Sequence, residues 1–335
     1  MRISALLAVC LSVCTFAAQP QATAAEGFEW SDAEGKHTDL LYNGKPVLRY
    51  MYQALDESTK EAREETMKVY HHVWSPDGET LLTKGPGGLY PHHRGLFYGF
   101  NKISYGDGKQ ADTWHNRLGE WQSHEQELDR QADADGASHK VAIDWHGRDG
   151  RVFAHEEREL AVKGGKNGDA DGWLIDFTSQ LTPAEGLDVV HLDGDPQHAG
   201  FQFRASQEVP DKTAKQTYYL RPDGKGKEGE TRNWDHAKPD APANKRSENL
   251  PWNAVSIVLG GERYTVVYLD HPENPKPARY SERDYARFGS YFVADATKDE
   301  PLEVKYRIWV QPGEMTVEQC EALHEQFVKQ GANET

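Results

Sequence analysis

Apolar and polar residues alternate with a period of two along several stretches of the chain. Over residues 302–310 every even position is apolar, from Leu302 to Val310, and the odd positions are mostly charged. Residues 173–181 repeat the pattern on their odd positions, with Ser179 as an interruption. A period of two places alternate side chains on one face of a β-strand. Both stretches are therefore predicted to be strands with one face on a core.

Two further pairs of apolar runs are separated by turn residues. In the first, Asp149-Gly150 follows the alternating residues 141–145. In the second, Gly260-Gly261 lies between residues 255–259 and 264–268. Asp-Gly and Gly-Gly between alternating runs are typical of tight β-turns, so both pairs are predicted to be β-hairpins.

Helical periodicity is confined to two segments. Residues 58–65 are charged and short, and they predict one or two helical turns at the surface. Near the C-terminus, Thr316 and Gln319 have the spacing of a capping box. The apolar positions there recur at helical spacing; they are Val317, Cys320, Leu323 and Phe327. We predict a closing helix packed on a sheet, with Cys320 as a buried, unreactive thiol.

Strand patterns dominate the chain and do not alternate strictly with helices, which argues against a doubly wound α/β fold. We therefore predict an all-β fold with a short C-terminal helix. The 335 residues fit one large β domain or two ordinary domains. We expect a single domain over residues 25–335, in which the polar, Gly- and Pro-rich residues 164–172 and 222–249 are loops.

The N-terminus has the features of a signal peptide. Met1-Arg2 is a basic start, residues 3–18 are uncharged and mostly apolar, and Ala22-Thr23-Ala24 fits a cleavage site. Residues 1–24 are therefore expected to be removed, and the mature protein to be periplasmic or extracellular. Cys320 would then be the single remaining cysteine, which leaves the mature chain without an internal disulfide.

Composition excludes several classes of function. The chain has 38 basic and 54 acidic side chains and a net charge of −16, so no nucleic-acid partner is expected. A mean hydropathy of −0.81 excludes a polytopic membrane protein, and no membrane span is expected after the leader. Aromatic residues make up 10% of the chain and can supply a sizeable core.

The most unusual segment is residues 85–100, where five Gly and two Pro precede or surround His92, His93 and Arg94. Gly permits positive φ and close approach to a ligand, and Pro91 stiffens the turn that presents the histidines. Histidine recurs at other turns and strand ends, which are common positions for functional side chains. The residues concerned are Trp114 with His115, Asp195 with His198, and Asp270 with His271.

Two chemistries fit these residues. In the first, aromatic rings cover the apolar faces of a sugar, and Arg, Asp and His bind its hydroxyls or move a proton. In the second, three or four histidines bind a divalent metal ion, although no short-range metal-binding motif such as H-E-x-x-H occurs. We predict no metal ligands and no cofactor, while a divalent metal remains an open alternative.

Three motifs together resemble a bacterial family that has been labelled methane oxygenase PmoA. The motifs run from Tyr90 to Gly95, from Asp195 to Arg204, and from Asp270 to Pro275, within a likeness that extends from about Lys68 to Val310. The resemblance implies an exported protein in a carbohydrate context. It also implies a large antiparallel sandwich like those of galactose mutarotases, in which His and carboxylate side chains on the concave sheet handle sugar rings.

We therefore expect a carbohydrate-active protein, most simply an epimerase, lyase or hydrolase that transfers protons through histidine and acts on a sugar or oligosaccharide. A non-catalytic sugar-binding module is the alternative, and a metal-dependent oxygenase is the third. The expected catalytic residues are His93, His115, His198, His271, Asp195 and Asp270. The expected substrate-binding residues are Tyr90, His92, Arg94, Trp114, Arg204 and Arg283. We predict that His93, Arg94, His115, His198 and His271 converge on one cleft at one face of the sheet.

Overall fold

A computed structural model describes residues 26–331, so the predicted signal peptide lies outside the described residues. Within this range the chain forms antiparallel β-strands and two α-helices, α1 (Lys60–Thr66) and α2 (Val317–Gly331). The strands are β1 (Phe28–Ala33), β2 (His37–Tyr42), β3 (Lys45–Met51), β4 (Tyr70–Val73), β5 (Leu96–Phe100), β6 (Lys102–Tyr105), β7 (Lys109–Ala111), β8 (Trp121–Ala132), β9 (Gly136–His146), β10 (Val152–Asn167), β11 (Ala170–Pro183), β12 (Val189–Asp193), β13 (Ala199–Arg204), β14 (Tyr218–Arg221), β15 (Gly224–Lys225), β16 (Arg232–Asn233), β17 (Trp252–Leu259), β18 (Glu262–Asp270), β19 (Arg279–Glu282), β20 (Arg287–Tyr291), β21 (Ala294–Thr297) and β22 (Leu302–Pro312).

These strands form three sheets within residues 26–331. The first sheet has nine strands in the order β1-β2-β3-β4-β5-β13-β20-β19-β16. The second also has nine, in the order β15-β14-β17-β18-β22-β11-β10-β9-β8. A third sheet of four strands has the order β21-β12-β6-β7. Both predicted hairpins are present, as β9–β10 and β17–β18, and the second turns through Gly260 and Gly261, which both have positive φ.

The two large sheets pack face to face through aromatic side chains. Phe201 of the first sheet stacks on Phe177 of the second, with 4.1 Å between ring centroids. The Phe201 ring also lies 5.1 Å from Tyr306, and Tyr98 lies 5.9 Å from Phe177. Burial of these large rings is the main stabilising contribution of the interior. The predicted all-β sandwich is confirmed.

The outer face of the second sheet is covered by α2. Thr316 and Gln319 exchange side-chain-to-backbone hydrogen bonds of 2.9 and 3.2 Å, which is the predicted capping box. Cys320, Leu323 and Phe327 are buried in a cluster that includes residues of this sheet. Burial raises the pKa of the Cys320 thiol to about 12, as expected for an unreactive cysteine.

The outer face of the first sheet is covered by loops instead of a helix. Side chains on this face alternate with the aromatic core positions, so Gln202 and Arg204 flank Phe203 but point away from the interior. The face holds buried polar and charged groups, among them Arg204 and Arg287, which are 1% and 0% exposed. This polar face carries the candidate site described below.

Two predicted loops contain more structure than their sequence indicates. Strand β10 continues to Asn167 and β11 begins at Ala170, so residues 164–172 are the end of a long hairpin. Gly172 is needed at this end, because a Cβ there would lie 2.3 Å from the Trp309 ring. Residues 222–249 contain β15, β16 and the 3-10 helix Pro242–Ser247. No helix within residues 26–331 is long and apolar enough to cross a membrane.

An ion pair lies inside the sandwich, at core positions of β10. Glu156 and Arg158 are each 1% exposed and form two hydrogen bonds, of 2.8 and 2.9 Å. The Glu156 carboxylate also accepts hydrogen bonds from Trp145 Nε1 and the Ser179 hydroxyl. A buried charge pair is tolerated only when its remaining polar positions are also satisfied, and this network does so for Glu156.

We expect Arg158→Met to lower the free energy of unfolding by about 3–5 kcal/mol, because it leaves the Glu156 carboxylate buried without its cation. The matched control is Lys140→Met, which removes the ion pair between Lys140 and Glu157 on the exposed side of the same strands. That change should stay within about 1 kcal/mol. Urea denaturation measures both, and similar losses in the two variants would contradict the prediction.

Candidate functional site

Three loops bring histidines together over the first sheet. Residues 74–95 connect β4 to β5, residues 112–120 connect β7 to β8, and residues 194–198 connect β12 to β13. They supply His92, His115 and His198, respectively. One ring nitrogen from each of the three histidines lies within 4.8 Å of the other two. The convergence of these three motifs is the central feature of the site.

Two of the histidines are oriented by an aspartate three residues earlier in the chain. His115 Nδ1 lies 2.8 Å from a carboxylate oxygen of Asp112, and His198 Nδ1 lies 3.0 Å from one of Asp195. Each aspartate also accepts a backbone N–H hydrogen bond within its own turn. The same Asp-x-x-His unit thus occurs twice, as a turn that aims an imidazole.

Lys68, just before β4, connects two of these loops. Its amino group is buried and donates hydrogen bonds to the backbone carbonyls of His92, at 2.7 Å, and Trp114. Burial holds the pKa of Lys68 well below its ordinary value. The Lys68 Nζ also lies 4.4 Å from the centre of the Phe97 ring. This one side chain, which precedes β4, therefore fixes the distance between the loops that carry His92 and His115.

Two buried arginines, Arg287 and Arg94, also donate hydrogen bonds to backbone carbonyls and so hold neighbouring segments in place. Arg287 donates to the carbonyl of Pro196 at 3.2 Å and to Gln202 Oε1 at 2.8 Å, and so holds the loop of His198. Arg94 donates to the carbonyls of Pro91, His93 and Glu64. These hydrogen bonds tie Arg94 to the protein itself, and its Nε is buried without a partner among the described residues, so its expected role in substrate binding stays a prediction.

His93 lies beside the three converging histidines and is 2% exposed. Its ring centroid is 4.4 Å from that of His92 and 5.9 Å from that of His198. Neither ring nitrogen of His93 has a hydrogen-bond partner within residues 26–331. Unpaired buried polar atoms are rare in proteins and point to a missing polar partner such as a ligand or water.

Aromatic rings surround this group of histidines on two sides. Tyr90 is 39% exposed, and its ring lies 5.5 Å from His93 and 5.1 Å from Tyr285. Trp114 is 2% exposed and lies beneath, 6.0 Å from His93 and 6.2 Å from His198. Tyr90 is therefore open to a ligand, whereas Trp114 is part of the floor.

Two predicted ligand-binding arginines lie against the same tyrosine. The guanidinium carbons of Arg204 and Arg283 are 4.7 and 5.7 Å from the centre of the Tyr285 ring. Arg204 donates to the carbonyls of Ala205 and Tyr285, but its Nε and Nη2 have no partner among the described residues. Arg283 Nε is likewise buried and unpaired in this part of the chain. Buried donors without a partner point to a missing polar partner such as a water or a ligand.

Burial and nearby cations keep the imidazoles neutral. Burial, together with the charge of Lys68, lowers the pKa of His92 to about 2. Burial, with Arg287 as the next cause, holds the pKa of His93 well below its ordinary value. Burial also lowers the pKa of His198, although Asp195 opposes it. At neutral pH these rings present lone pairs, and they can accept a proton or bind a cation.

A cleft reaches the site from the side of α1. It has a volume of about 360 Å³, and its walls include Arg63 and Glu64 of α1 together with His92, His115 and Arg117. A larger cleft of about 590 Å³ is lined by Phe28, Tyr42 and Trp173, but no group of histidines converges there. The smaller cleft therefore combines access with titratable side chains.

The structure does not bring His271 and Asp270 into this group. His271 follows the end of β18 and contacts the Phe327 ring of α2 at 5.2 Å, on the side of the second sheet. The Asp270 carboxylate accepts hydrogen bonds from Lys276 Nζ and Asn274 Nδ2, both at 2.6 Å. The expected convergence of five residues is thus corrected. His93, His115 and His198 come together, Arg94 is turned to the backbone, and His271 lies apart.

Several residues of the site were missed by reasoning from the sequence. Asp112 could have been found, because Asp112-x-x-His115 repeats the spacing of Asp195-x-x-His198. Lys68, Tyr285 and Arg287 carry no comparable local signal. Gly200 lies within the motif from Asp195 to Arg204, but the sequence alone does not reveal its role. Its φ is +80°, and a Cβ there would lie 2.1 Å from the carbonyl oxygen of Ser290, so only glycine lets this loop re-enter the sheet.

Comparison with known families assigns the chain to a family. A sequence profile described as a family of unknown function, DUF6807, matches residues 37–325. The chain belongs to the DUF6807 family. The matched range contains all three histidine loops and α1. The description of DUF6807 does not mention a methane oxygenase, so it lends no support to the label suggested by the sequence motifs. No curated protein matches this DUF6807 chain in sequence.

Solved structures with similar arrangements are carbohydrate-related proteins of very low identity. A glycoside hydrolase family 97 enzyme from Pseudoalteromonas sp. strain K8, in complex with panose, is 10% identical, with a TM-score of 0.39 over 80% of this chain. The DUF6807 chain spans 34% of the length of that enzyme. A galactose mutarotase-like protein from Clostridium acetobutylicum is 9% identical, with a TM-score of 0.42 over 85% of this chain and 98% of its own. Likenesses at this level carry no argument about activity.

We expect Lys68→Met to lower the free energy of unfolding by about 2–4 kcal/mol, because it leaves the carbonyls of His92 and Trp114 buried without a donor. Lys102→Met, at an exposed position of β6, is the control and should change stability by less than about 0.5 kcal/mol. Chemical denaturation measures both variants. A Lys68→Met protein as stable as the control would show that Lys68 does not hold the loops.

Proposed function

We propose that the protein is a carbohydrate-active enzyme whose substrate binds over the histidines of the first sheet. The observation that carries this proposal is the convergence of His92, His115 and His198, from three separate loops, within 4.8 Å. An enzyme needs titratable groups from different segments near one substrate atom, whereas a binding module does not. We further propose that the chain is exported, as its N-terminal sequence indicates.

The polar groups around the site suit a ligand that is rich in oxygen atoms. Arg204, Arg283 and Arg287 each have at least one buried guanidinium nitrogen without a partner within residues 26–331. These nitrogens can only donate, so they would match hydroxyl or carboxylate oxygens. The exposed face of Tyr90 could cover the apolar C–H face of a sugar ring. Sugars and uronic acids combine both properties.

Proton transfer would fall to an imidazole of this group. His198 is held by Asp195 in an orientation that leaves Nε2 free, in the manner of a general base with an orienting carboxylate. His93 has two unpaired nitrogens and is the second candidate. Epimerisation, elimination and hydrolysis all need such a proton transfer, and the geometry does not choose among them.

Two other functions are less well supported. A non-catalytic sugar-binding module would present an open aromatic platform, but Trp114 is 2% exposed and the histidines are clustered. A metal-dependent oxygenase would follow from the methane oxygenase label, which rests only on the resemblance of three sequence motifs. We therefore rank the enzyme acting on a sugar first.

We expect at least one saccharide from a panel of neutral sugars, uronic acids and oligosaccharides to be turned over or to raise Tm by several degrees. A ligand at about 100 times its Kd stabilises a folded protein by about 2.7 kcal/mol, which gives a shift of this size. Differential scanning fluorimetry and product analysis by chromatography are the measurements.

The effect should be lost in His198→Ala and kept in His191→Ala, which changes an exposed histidine of β12 outside the site. If no saccharide is turned over and none changes Tm, the proposal fails. A response that survives in His198→Ala would move the sugar site elsewhere.

A further inference from the structure

The arrangement of the three converging histidines has features that proton transfer to a sugar does not require. Asp112 and Asp195 occupy the Nδ1 atoms of His115 and His198, so each of these rings has only Nε2 left to bind another group. His92 Nε2 is buried and has no hydrogen-bond partner among the described residues. The three rings lie with centroids 4.6 to 5.5 Å apart. One ring nitrogen from each histidine lies within 4.8 Å of the other two, so the three nitrogens surround a common point where a single ion could lie.

We propose that His92, His115 and His198 bind one divalent transition-metal ion. Three imidazoles are a ligand set typical of zinc, iron, copper or nickel and unlike the oxygen sets that magnesium and calcium prefer. Three protein ligands leave a coordination position for water or substrate, as in catalytic metal sites, whereas structural sites use four. The site is therefore of the catalytic type.

The second layer of the site supports this assignment. Histidines that bind metals commonly donate their other ring N–H to a carboxylate, which fixes the tautomer and raises the basicity of the ligating nitrogen. Here two of the three ligands have such a carboxylate, at 2.8 and 3.0 Å. Asp195 is itself fixed, because it accepts hydrogen bonds from Asn101 Nδ2 and the Gln197 backbone. The two carboxylates also balance the charge of a divalent cation.

The spacing requires only a small movement of the rings. A tetrahedral zinc ion with Zn–N bonds of about 2.0–2.1 Å places its ligand nitrogens roughly 3.3 Å apart. The ring nitrogens lie within 4.8 Å of one another, so each would move inward by about 1 Å or less. Side-chain torsions can provide this, while Lys68 and Arg287 keep the backbones of the loops in place.

The surroundings leave room for a substrate at such an ion. His92 and His115 line the cleft of about 360 Å³, through which a ligand could reach the open coordination position. His93 lies 4.4 Å from His92, measured between ring centroids, and both of its nitrogens are unpaired within residues 26–331. With the other three histidines on the metal, His93 would be the imidazole that remains to move a proton. The metal proposal does not depend on the identity of the substrate.

A second group of possible ligands serves as an internal control. Glu125, Asp144 and His146 also come within 4.8 Å of one another. However, His146 already uses both ring nitrogens, with the Ser123 hydroxyl at 2.8 Å and the Gly150 carbonyl at 3.3 Å. This group also has only one histidine. The nitrogen-rich group is therefore the preferred site for a transition metal.

The test uses the full chain purified without a histidine tag, stripped with a chelator and dialysed against Zn²⁺. Elemental analysis should find one zinc per chain, and His198→Ala should bind zinc at least 100-fold more weakly. Asp195→Asn should weaken binding about 10- to 100-fold, because the carboxylate orients the ligand. His146→Ala, the control, should bind as the unchanged protein does. Circular dichroism checks that each variant is folded.

X-ray absorption of the zinc-loaded, unchanged protein gives a measurement that does not depend on any variant. We expect three imidazole ligands with Zn–N distances of about 2.0 Å. The proposal is overturned if zinc is not retained at one per chain, if fewer than three imidazoles surround it, or if His146→Ala abolishes binding while His198→Ala does not.

The outcome is separable from that of the sugar experiment. Zinc bound by the three histidines in a protein that responds to no saccharide would support the metal site and overturn the proposed function. Saccharide turnover by a chelator-stripped protein that binds no zinc would support the proposed function and overturn the metal site.

Discussion

The candidate site depends on the hydrogen bonds of one buried lysine side chain. Lys68 donates hydrogen bonds to the carbonyls of His92 and Trp114, which belong to loops separated by more than ten residues and three strands. A buried polar group without hydrogen-bond partners is unfavourable, so the loops must close on Lys68 for the chain to fold around it. Arg287 places the same requirement on the loop that carries His198. The histidines meet because the buried nitrogen donors of Lys68 and Arg287 need carbonyl oxygens.

This requirement explains why the two faces of the first sheet differ. The inner face carries Phe201 and Phe203, which are fully buried in the sandwich. The outer face carries Gln202, Arg204 and Arg287, whose donors and acceptors cannot be covered by the apolar side of a helix. Loops cover it instead, because their backbone carbonyls are free to accept hydrogen bonds. The donors that remain unpaired after this covering are those available to a ligand.

The fold was largely predictable because its signals are local. A period of two identifies a strand, and Gly260-Gly261 identifies a tight turn, from a few neighbouring residues. The Glu156–Arg158 pair was not predictable, because two charged residues on a strand look like a solvated face until the partners on β9 and β11 are known. The length of the β10–β11 hairpin was missed for a related reason, since its glycines serve to accommodate the distant Trp309.

The site was predictable in part, because some of its signals are also local. Stiff turns correctly drew attention to His92, His93, His115 and His198, but a strand-end position does not say which sheet or which end is involved. His271 satisfied the same criterion and lies beside α2. The contacts of Lys68 span 24 and 46 residues, and no pattern in one sequence reveals such pairs.

The site thus has two levels of organisation that act at different ranges. Each Asp-x-x-His turn orients its own imidazole through hydrogen bonds within four residues, and Asp195 is held in addition by Asn101. The buried side chains of Lys68 and Arg287 set the distances between the turns and are part of the folded core. A change at Asp112 or Asp195 should therefore alter the direction and basicity of a ring while leaving the loops in place. A change at Lys68 should increase the distance between the His92 and His115 rings without changing the local hydrogen bond that orients His115.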